Sequence, residues 1–173
     1  MLDDLIAALP PYAEDVKRTL SACLADETLT ADQKWGIAHA SAEALAYPLV
    51  TRALAAQTPL SAPTQEAIKG AAAVMAMNNI YFRAVHLMSE KEYSSLRAGI
   101  RMAALRPSAA AAEIDIDLWT IAISAINGCG ACIDIHEASL RKAGGAPAQA
   151  QAALKLAAAL AGLVAVMKAE EAR

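Results

Sequence analysis

Residues 121–136 have the sequence IAISAINGCGACIDIH, in which an apolar helical segment is followed by a turn and a second helix. The Asn127-Gly128 dipeptide is a turn signal that interrupts a helix and lets it begin again. Cys129 is therefore predicted to lie in the first turn of the new helix. There, unpaired amide N–H groups and the positive end of the helix dipole favour a thiolate over a thiol.

The spacing of two cysteines and a histidine predicts that all three share one helical face. Cys132 follows Cys129 by three residues and precedes His136 by four, and neighbours at these spacings stack on a helix. Two sulfurs close enough to pair, beside an imidazole that can manage protons, favour a redox-active dithiol. We predict a redox-active disulfide between Cys129 and Cys132 and no bound cofactor.

The same spacing assigns roles to the two thiols. Cys132 lies one turn before His136, so it is easier to deprotonate than Cys129 and is predicted to be the attacking thiolate. A hydroperoxide would oxidise it to a sulfenic acid. Cys129 would then condense with it to form the disulfide, or would donate a proton to the leaving alkoxide.

An acidic run at residues 113–117 opens the preceding helix. Asp117 is predicted to orient His136, following the arrangement of a base and its orienting group at activated nucleophiles. Glu113 and Asp115 remain alternatives. Acids are also expected in a first helical turn from capping and the helix dipole alone.

Two other interpretations of the cysteine pair stay open. A zinc site needs four ligands, and with no second CxxC the site would have to recruit Cys23, His39 or His86 from elsewhere. The pair could also be buried packing residues, since free cysteine is commonly buried. Outside such a zinc site, His39 and His86 are predicted to be structural, hydrogen-bonded histidines, and Cys23 is predicted to be a small buried hydrophobe.

Composition restricts the class of protein. The 173 residues are 57% hydrophobic, which suffices for a single domain with its own core. A net charge of −3 without a basic run argues against a nucleic-acid partner. Asp3 and Asp4 stand where a secretory signal needs positive charge, so a cytoplasmic location is predicted. The apolar run 156–167 is shorter than the ~20 residues that span a bilayer, so no membrane association is predicted.

Helix-forming residues alternate with short breaks that contain Pro or Gly, which predicts an all-α fold. Helices are expected at residues 2–9, from the Pro10-Pro11 pair to about 24, at 30–46 and at 64–88. The TADQ stretch at 30–33 matches a capping box. Tryptophans 35 and 119 are predicted to anchor the core.

A faint repeat divides the single domain, residues 1–173, into similar helical halves at about 1–106 and 107–173. WGIA at 35–38 matches WTIA at 119–122, and QEAIK at 65–69 resembles QAALK at 151–155. Only the second half carries the CxxC, and the first is then a scaffold. An alanine-rich chain also produces such similarity by chance.

These motifs resemble the alkylhydroperoxidase D (AhpD) family of the carboxymuconolactone decarboxylase-like superfamily. The resemblance includes SAINGCGAC at 124–132 with His136 following, DLW at 117–119 and MNNIYFR at 77–83, and it extends over nearly the whole chain. It implies an all-helical enzyme that reduces alkyl hydroperoxides. Cys132 would attack the peroxide, Cys129 would be proton donor and disulfide partner, and His136 with Asp117 would relay protons.

The resemblance also implies partners. The resemblance implies a homotrimer that acts with a peroxiredoxin and is re-reduced by a lipoylated acyltransferase and dihydrolipoamide dehydrogenase. Two residues depart from the family pattern. Asp117 stands where the best-known members carry Glu, so its reach to the imidazole without a bridging water is in question. Ala131 stands where some carry His, which removes a second proton carrier.

Two other functions are kept beside the peroxidase. One is a decarboxylase-like enzyme acting on a cyclic lactone. The other is a non-enzymatic helical oligomerisation module whose cysteines sense redox state. Whichever of these functions the protein has, we expect it to assemble with symmetric copies of itself, because several helices are apolar over more than one face.

Overall fold

The computed structural model describes residues 2–90 and 92–172, and the all-α prediction is confirmed. No strand is present among the residues described. The α-helices, in chain order, are α1 (Leu2–Ala7), α2 (Glu14–Ala25), α3 (Ala31–Leu45), α4 (Pro48–Ala55), α5 (Ala62–Leu87), α6 (Glu92–Ser95), α7 (Glu113–Ile126), α8 (Gly130–Lys142) and α9 (Pro147–Glu171).

Side-chain caps and prolines set the helix bounds. The predicted capping box is confirmed, since Gln33 N–H donates to Thr30 Oγ1 at 3.2 Å and Thr30 N–H donates to Gln33 Oε1 at 3.1 Å. α5 begins two residues before the predicted start because Ser61 caps it. No helix was predicted between residues 46 and 64, whereas Pro48 opens α4 there, because proline is tolerated in a first helical turn.

Helix α7 lies at the centre of the fold and packs against α3, α5, α8 and α9. Nine consecutive residues of α7, Ile116 to Ser124, are buried. Trp119 is buried as predicted, whereas Trp35 is only partly buried against the core. A Cβ at Gly36 of α3 would overlap the Trp119 indole, so glycine is what lets the two helices come this close.

Helix α9 contributes buried alanines, leucines and valines to the same core. Its length and composition would also allow it to cross a membrane, and 56% of its most apolar 18-residue window is buried inside the protein. A buried core helix meets the same length and composition criteria.

The disulfide lies in the second half of the chain, as predicted. Helices α3 to α5 contain 15, 8 and 26 residues, and α7 to α9 contain 14, 13 and 25. The single domain with two similar halves stays a prediction.

Candidate active site

The turn between α7 and α8 determines where the first cysteine lies. Gly128 has φ of 71°, in the left-handed region that favours glycine. Gly128 N–H donates to Ala125 O at 3.2 Å and Cys129 N–H donates to Ser124 O at 2.9 Å, which is the Schellman pattern that ends a helix. Because Cys129 completes this motif, α8 begins only at Gly130.

The predicted position of Cys129 is therefore wrong by one residue. Cys129 is the N-cap of α8, and Cys132 is the cysteine in the first turn. The structure pairs the two in a disulfide, with Cα atoms 5.3 Å apart. Cys129 is 0% exposed and Cys132 is 3% exposed, so both sulfurs lie below the protein surface.

His136 of α8 is hydrogen-bonded to Asp117 of α7. Nδ1 of His136 lies 3.1 Å from Oδ1 of Asp117, and the two side chains are 16% and 5% exposed. The aspartate therefore reaches the imidazole directly, which answers the question raised by its short side chain. An ionised carboxylate only accepts, so Nδ1 carries the proton and Nε2 is left as the basic atom.

Of the three acids considered, Asp117 is the one that contacts His136. Asp115 Oδ1 instead accepts a hydrogen bond from Gln33 Nε2 at 3.4 Å, and Glu113 is exposed in the first turn of α7. Oδ2 of Asp117 is buried without a hydrogen-bond partner. The Asp117 carboxylate is thus hydrogen-bonded through Oδ1 to the His136 imidazole.

Helix α5 contacts the turn through residues to which the sequence assigned no role beyond the family resemblance. Asn79 Nδ2 donates to Ser124 Oγ at 3.0 Å, and Asn127 Nδ2 donates to Asn79 Oδ1 at 3.0 Å. Arg83 Nη1 donates to the Asn127 carbonyl at 2.6 Å. A buried asparagine inside an apolar helix is the signal that pointed to such a network, because buried amides need partners.

An apolar groove of about 210 Å³ lies between α8 and α5, and the cysteines and His136 are not part of its lining. Ala131, between the cysteines, and Ile135 form one side of it. Residues of α5 and the segment after it form the other side, among them Tyr81, Phe82, Val85, His86, Tyr93 and Leu96.

Cys129, Cys132, His136 and Asp117 thus make up the candidate dithiol site. Comparison with known proteins shows the family of the chain. The sequence model of the carboxymuconolactone decarboxylase family matches residues 91–172, which include the disulfide and His136. Proteins named alkyl hydroperoxide reductase AhpD are similar over almost their whole length. The one from Streptomyces coelicolor is 46% identical over 159 residues, covering 91% of this chain and 89% of the relative. The one from Maricaulis maris is 44% identical over 171 residues and 98% of each chain. The one from Brucella abortus is 43% identical over 158 residues and 90% of each chain.

The chain belongs to the AhpD family. The resemblance that the motifs indicated is therefore confirmed. The three AhpD-like motifs converge in space, since residues of the 77–83 segment bond to the turn that precedes Cys129, and Asp117 of the DLW motif bonds to His136.

The remaining titratable candidates lie outside these AhpD motifs. His39 is buried, and its Nε2 has no hydrogen-bond partner. Burial, with a smaller effect of Lys69, lowers the pKa of His39. Cys23 is a free cysteine that is only partly buried, and burial raises the pKa of its thiol. His86 is exposed at the edge of the groove.

The zinc interpretation finds no cluster to support it in the part of the chain that the structure describes. No group of three or more His, Cys, Asp or Glu side chains there is arranged to hold a metal ion. Cys129 and Cys132 are instead bonded to each other.

Proposed function

We propose that the protein is an alkyl hydroperoxide reductase that works through Cys129 and Cys132 as a redox-active dithiol. One observation carries this proposal: the paired cysteines lie at the N-cap and in the first turn of α8, and His136 of the same helix is hydrogen-bonded to a buried carboxylate at 3.1 Å. The printed names of the relatives agree with this activity.

In the first step, the Cys132 thiolate attacks the terminal oxygen of the hydroperoxide. The O–O bond breaks, the sulfur takes up OH as a sulfenic acid, and an alkoxide leaves. Cys129 gives the alkoxide its proton to form the alcohol, and His136 with Asp117 replaces that proton. Support for Cys132 as the attacking residue comes from its place in the first turn of α8, where free amide N–H groups favour a thiolate.

In the second step, Cys129 attacks the sulfenic sulfur, the S–O bond breaks, water leaves and the disulfide forms. An external dithiol then reduces the disulfide by thiol–disulfide exchange. We propose that this electron path runs from dihydrolipoamide dehydrogenase through a lipoylated acyltransferase, and that the protein acts with a peroxiredoxin.

The apolar groove beside Ala131 supports an organic rather than an inorganic peroxide as substrate. Its aromatic and aliphatic lining suits an alkyl or aryl group, which would gain by leaving water. Ala131, the lining residue that neighbours Cys132 in sequence, adds no polar side chain to the groove. We propose that the carbon chain of the substrate lies against α5 in this groove, while its hydroperoxide group extends past Ala131 toward the cysteines, which lie outside the groove lining.

We propose that the protein acts in the cytoplasm as a homotrimer, without nucleic acid or membrane as partner. Large apolar side chains outside the groove lining stand exposed on the isolated chain, with Ile80 at 67% and Leu87 at 74%. Exposed apolar surface of this kind is commonly covered by a symmetric copy. Sedimentation equilibrium measures the mass in solution, and a monomer at micromolar concentration would contradict the proposed trimer.

Rapid mixing of reduced protein with cumene hydroperoxide tests the activity. Two thiols should be consumed for each peroxide reduced. Cys132→Ser should abolish peroxide consumption, while Cys129→Ser should leave a sulfenic acid that dimedone traps. Cys23→Ser is the matched control and should behave as the parent protein.

If neither Cys132→Ser nor Cys129→Ser changes the consumption of peroxide, the proposed function is wrong. Turnover of a cyclic lactone that survives both substitutions would favour a decarboxylase-like enzyme instead. Normal assembly and partner binding by the double variant, with no peroxide turnover in the parent protein, would favour a non-enzymatic module.

A further inference from the structure

A chain of hydrogen bonds links the middle of α5 to the backbone that carries Cys129. Asn79 uses both ends of its amide, donating to Ser124 Oγ and accepting from Asn127 Nδ2, each at 3.0 Å. Arg83, one turn further along α5, donates to the Asn127 carbonyl at 2.6 Å. Ser124 in turn accepts the Cys129 N–H through its carbonyl at 2.9 Å. The contacts from α5 thus fall on Ser124 and Asn127, the first five and the second two residues before Cys129.

The chemistry of the contacts fits a device that fixes the turn. Asparagine is a poor residue for a helix interior, because its amide competes for backbone groups, yet Asn79 is 1% exposed in the middle of α5. Both ends of its amide are hydrogen-bonded, the nitrogen to α7 and the oxygen to the turn. The Arg83 guanidinium meets a carbonyl at the C-terminal end of α7, where a cation is favoured by the helix dipole and by charge-assisted bonding.

Cys129 depends on this turn more than Cys132 does. Cys132 lies within α8, where the helix fixes its backbone, whereas Cys129 is the N-cap, with φ of −100° and ψ of 87°, and follows a left-handed glycine. A disulfide closes only when the two Cα atoms lie about 4.4–6.8 Å apart. Once the pair is reduced, no covalent bond holds Cys129 near its partner.

We propose that Asn79 and Arg83 are positioning residues that hold the reduced Cys129 within reach of Cys132. They raise the effective concentration of one thiol at the other, and thereby favour the disulfide over the dithiol. In the peroxidase cycle they speed the step in which Cys129 displaces hydroxide from the Cys132 sulfenic acid, giving the S–S bond and one water. This kinetic part rests on the proposed function, whereas the disulfide equilibrium does not.

The full-length variants Asn79→Ala and Arg83→Gln test the proposal, with Arg83→Lys as the conservative replacement. Lys69→Ala is the matched control, since Lys69 is also an exposed cation of α5 but pairs with Glu66 on its own helix. Equilibration in dithiothreitol buffers gives the ratio of disulfide to dithiol. We expect each test variant to shift this ratio toward the dithiol by about tenfold, the effect of one net hydrogen bond. Arg83→Lys should recover part of the shift and Lys69→Ala should show none.

Dimedone trapping after one equivalent of cumene hydroperoxide gives the second readout. The sulfenic acid should persist about tenfold longer in Asn79→Ala and Arg83→Gln, while the rate of its formation stays within about twofold of the parent protein. A general loss of structure would instead slow formation as well. Circular dichroism of Arg83→Gln, whose side chain is exposed, checks that the fold is retained.

An unchanged disulfide ratio in folded Arg83→Gln and Asn79→Ala would overturn the proposal. So would a loss of the formation rate that parallels the loss of disulfide closure. If Arg83→Gln alone folds, its ratio and its rescue by lysine decide the matter. If no sulfenic acid forms even in Cys129→Ser, the proposed peroxidase activity fails, and the dithiothreitol equilibrium still tests the positioning role.

Discussion

Nδ1 of His136 lies 3.1 Å from Oδ1 of Asp117, so one hydrogen bond joins α8 to α7 across 19 positions of sequence. The bond orients the imidazole from the side of the protein core, because Asp117 is buried. It also fixes which ring nitrogen is the base, since an ionised carboxylate holds the proton on Nδ1. The geometry is that of a base and its orienting group, with Cys132 one helical turn before the imidazole.

Replacing Asp117 by asparagine should slow peroxide reduction by about 10- to 100-fold, because an amide can donate to Nδ1 and thereby allow the wrong tautomer. Stopped-flow loss of cumene hydroperoxide under single-turnover conditions measures this. Asp117→Glu keeps the carboxylate and should retain most of the rate. An Asp117→Asn variant that reacts at the parent rate would remove the carboxylate from the mechanism.

Filling the groove at Ala131 should change substrate preference. Ala131→Phe places a ring in the groove lining, beside Cys132 in sequence, so kcat/KM for cumene hydroperoxide should fall about tenfold relative to hydrogen peroxide, whose small size needs no groove. The ratio of the two kcat/KM values is the measurement, and Ala131→Ser is the control of similar volume. An equal loss for both peroxides would show that the groove does not hold the organic group.

The contact between α3 and α7 predicts a stability effect at Gly36. A Cβ there would overlap the Trp119 indole, so Gly36→Ala should destabilise the protein by about 1–2 kcal/mol, the overpacking penalty less the helix propensity that alanine adds. Urea unfolding followed by circular dichroism measures the change. Gly130→Ala is the matched control, because no atom lies within 4 Å of its Cβ position. A Gly36→Ala variant as stable as the parent would mean that the helices separate at no cost.

The buried imidazole of His39 predicts a pH dependence of stability. Burial lowers its pKa in the folded chain below the value near 6.5 of the unfolded chain. As the pH falls through about 6.5, the unfolded state therefore takes up a proton that the folded state excludes, and the free energy of unfolding declines. This contribution is fully present above the unfolded pKa. It declines by at most about 1.4 kcal/mol per pH unit until the folded pKa is reached.

Urea unfolding of the parent protein and His39→Leu at pH 7.5 and 5.0 isolates that contribution. The parent should lose more stability between the two pH values than the variant does. Glu43, Arg52 and Lys69 line the same cavity and are common to both proteins, so their titration cancels. Equal losses in parent and variant would show that His39 takes up its proton as readily in the folded chain as in the unfolded one.

Local pattern was sufficient for some of these features. The CxxC spacing predicted the Cys129–Cys132 pairing, the TADQ stretch predicted a capping box, and the acidic run contained the residue that meets His136. Each depends on neighbours within one or two helical turns, or on a choice among three nearby acids.

Features set by tertiary packing were missed or misplaced. Cys129 falls one residue before α8 because the Schellman motif that closes α7 uses its N–H, which turn residues alone do not specify. Asn79 and Arg83 gain their roles from contacts across 44 to 48 positions with α7 and its turn. The unpartnered Nε2 of His39 likewise depends on how three helices enclose it, not on the residues beside it.

Because both cysteines are buried, the rate of electron exchange depends on access to their sulfur atoms as well as on the reduction potential of the disulfide. Thiol–disulfide exchange requires a thiolate to approach a sulfur atom directly, and neither Cys129 nor Cys132 offers a surface for random collision. We therefore expect small thiols to equilibrate with the couple slowly, so that the dithiothreitol titration needs a long incubation. A reductant whose shape brings its thiol to the buried sulfurs should exchange faster, and the burial of the couple would then select among reductants by fit.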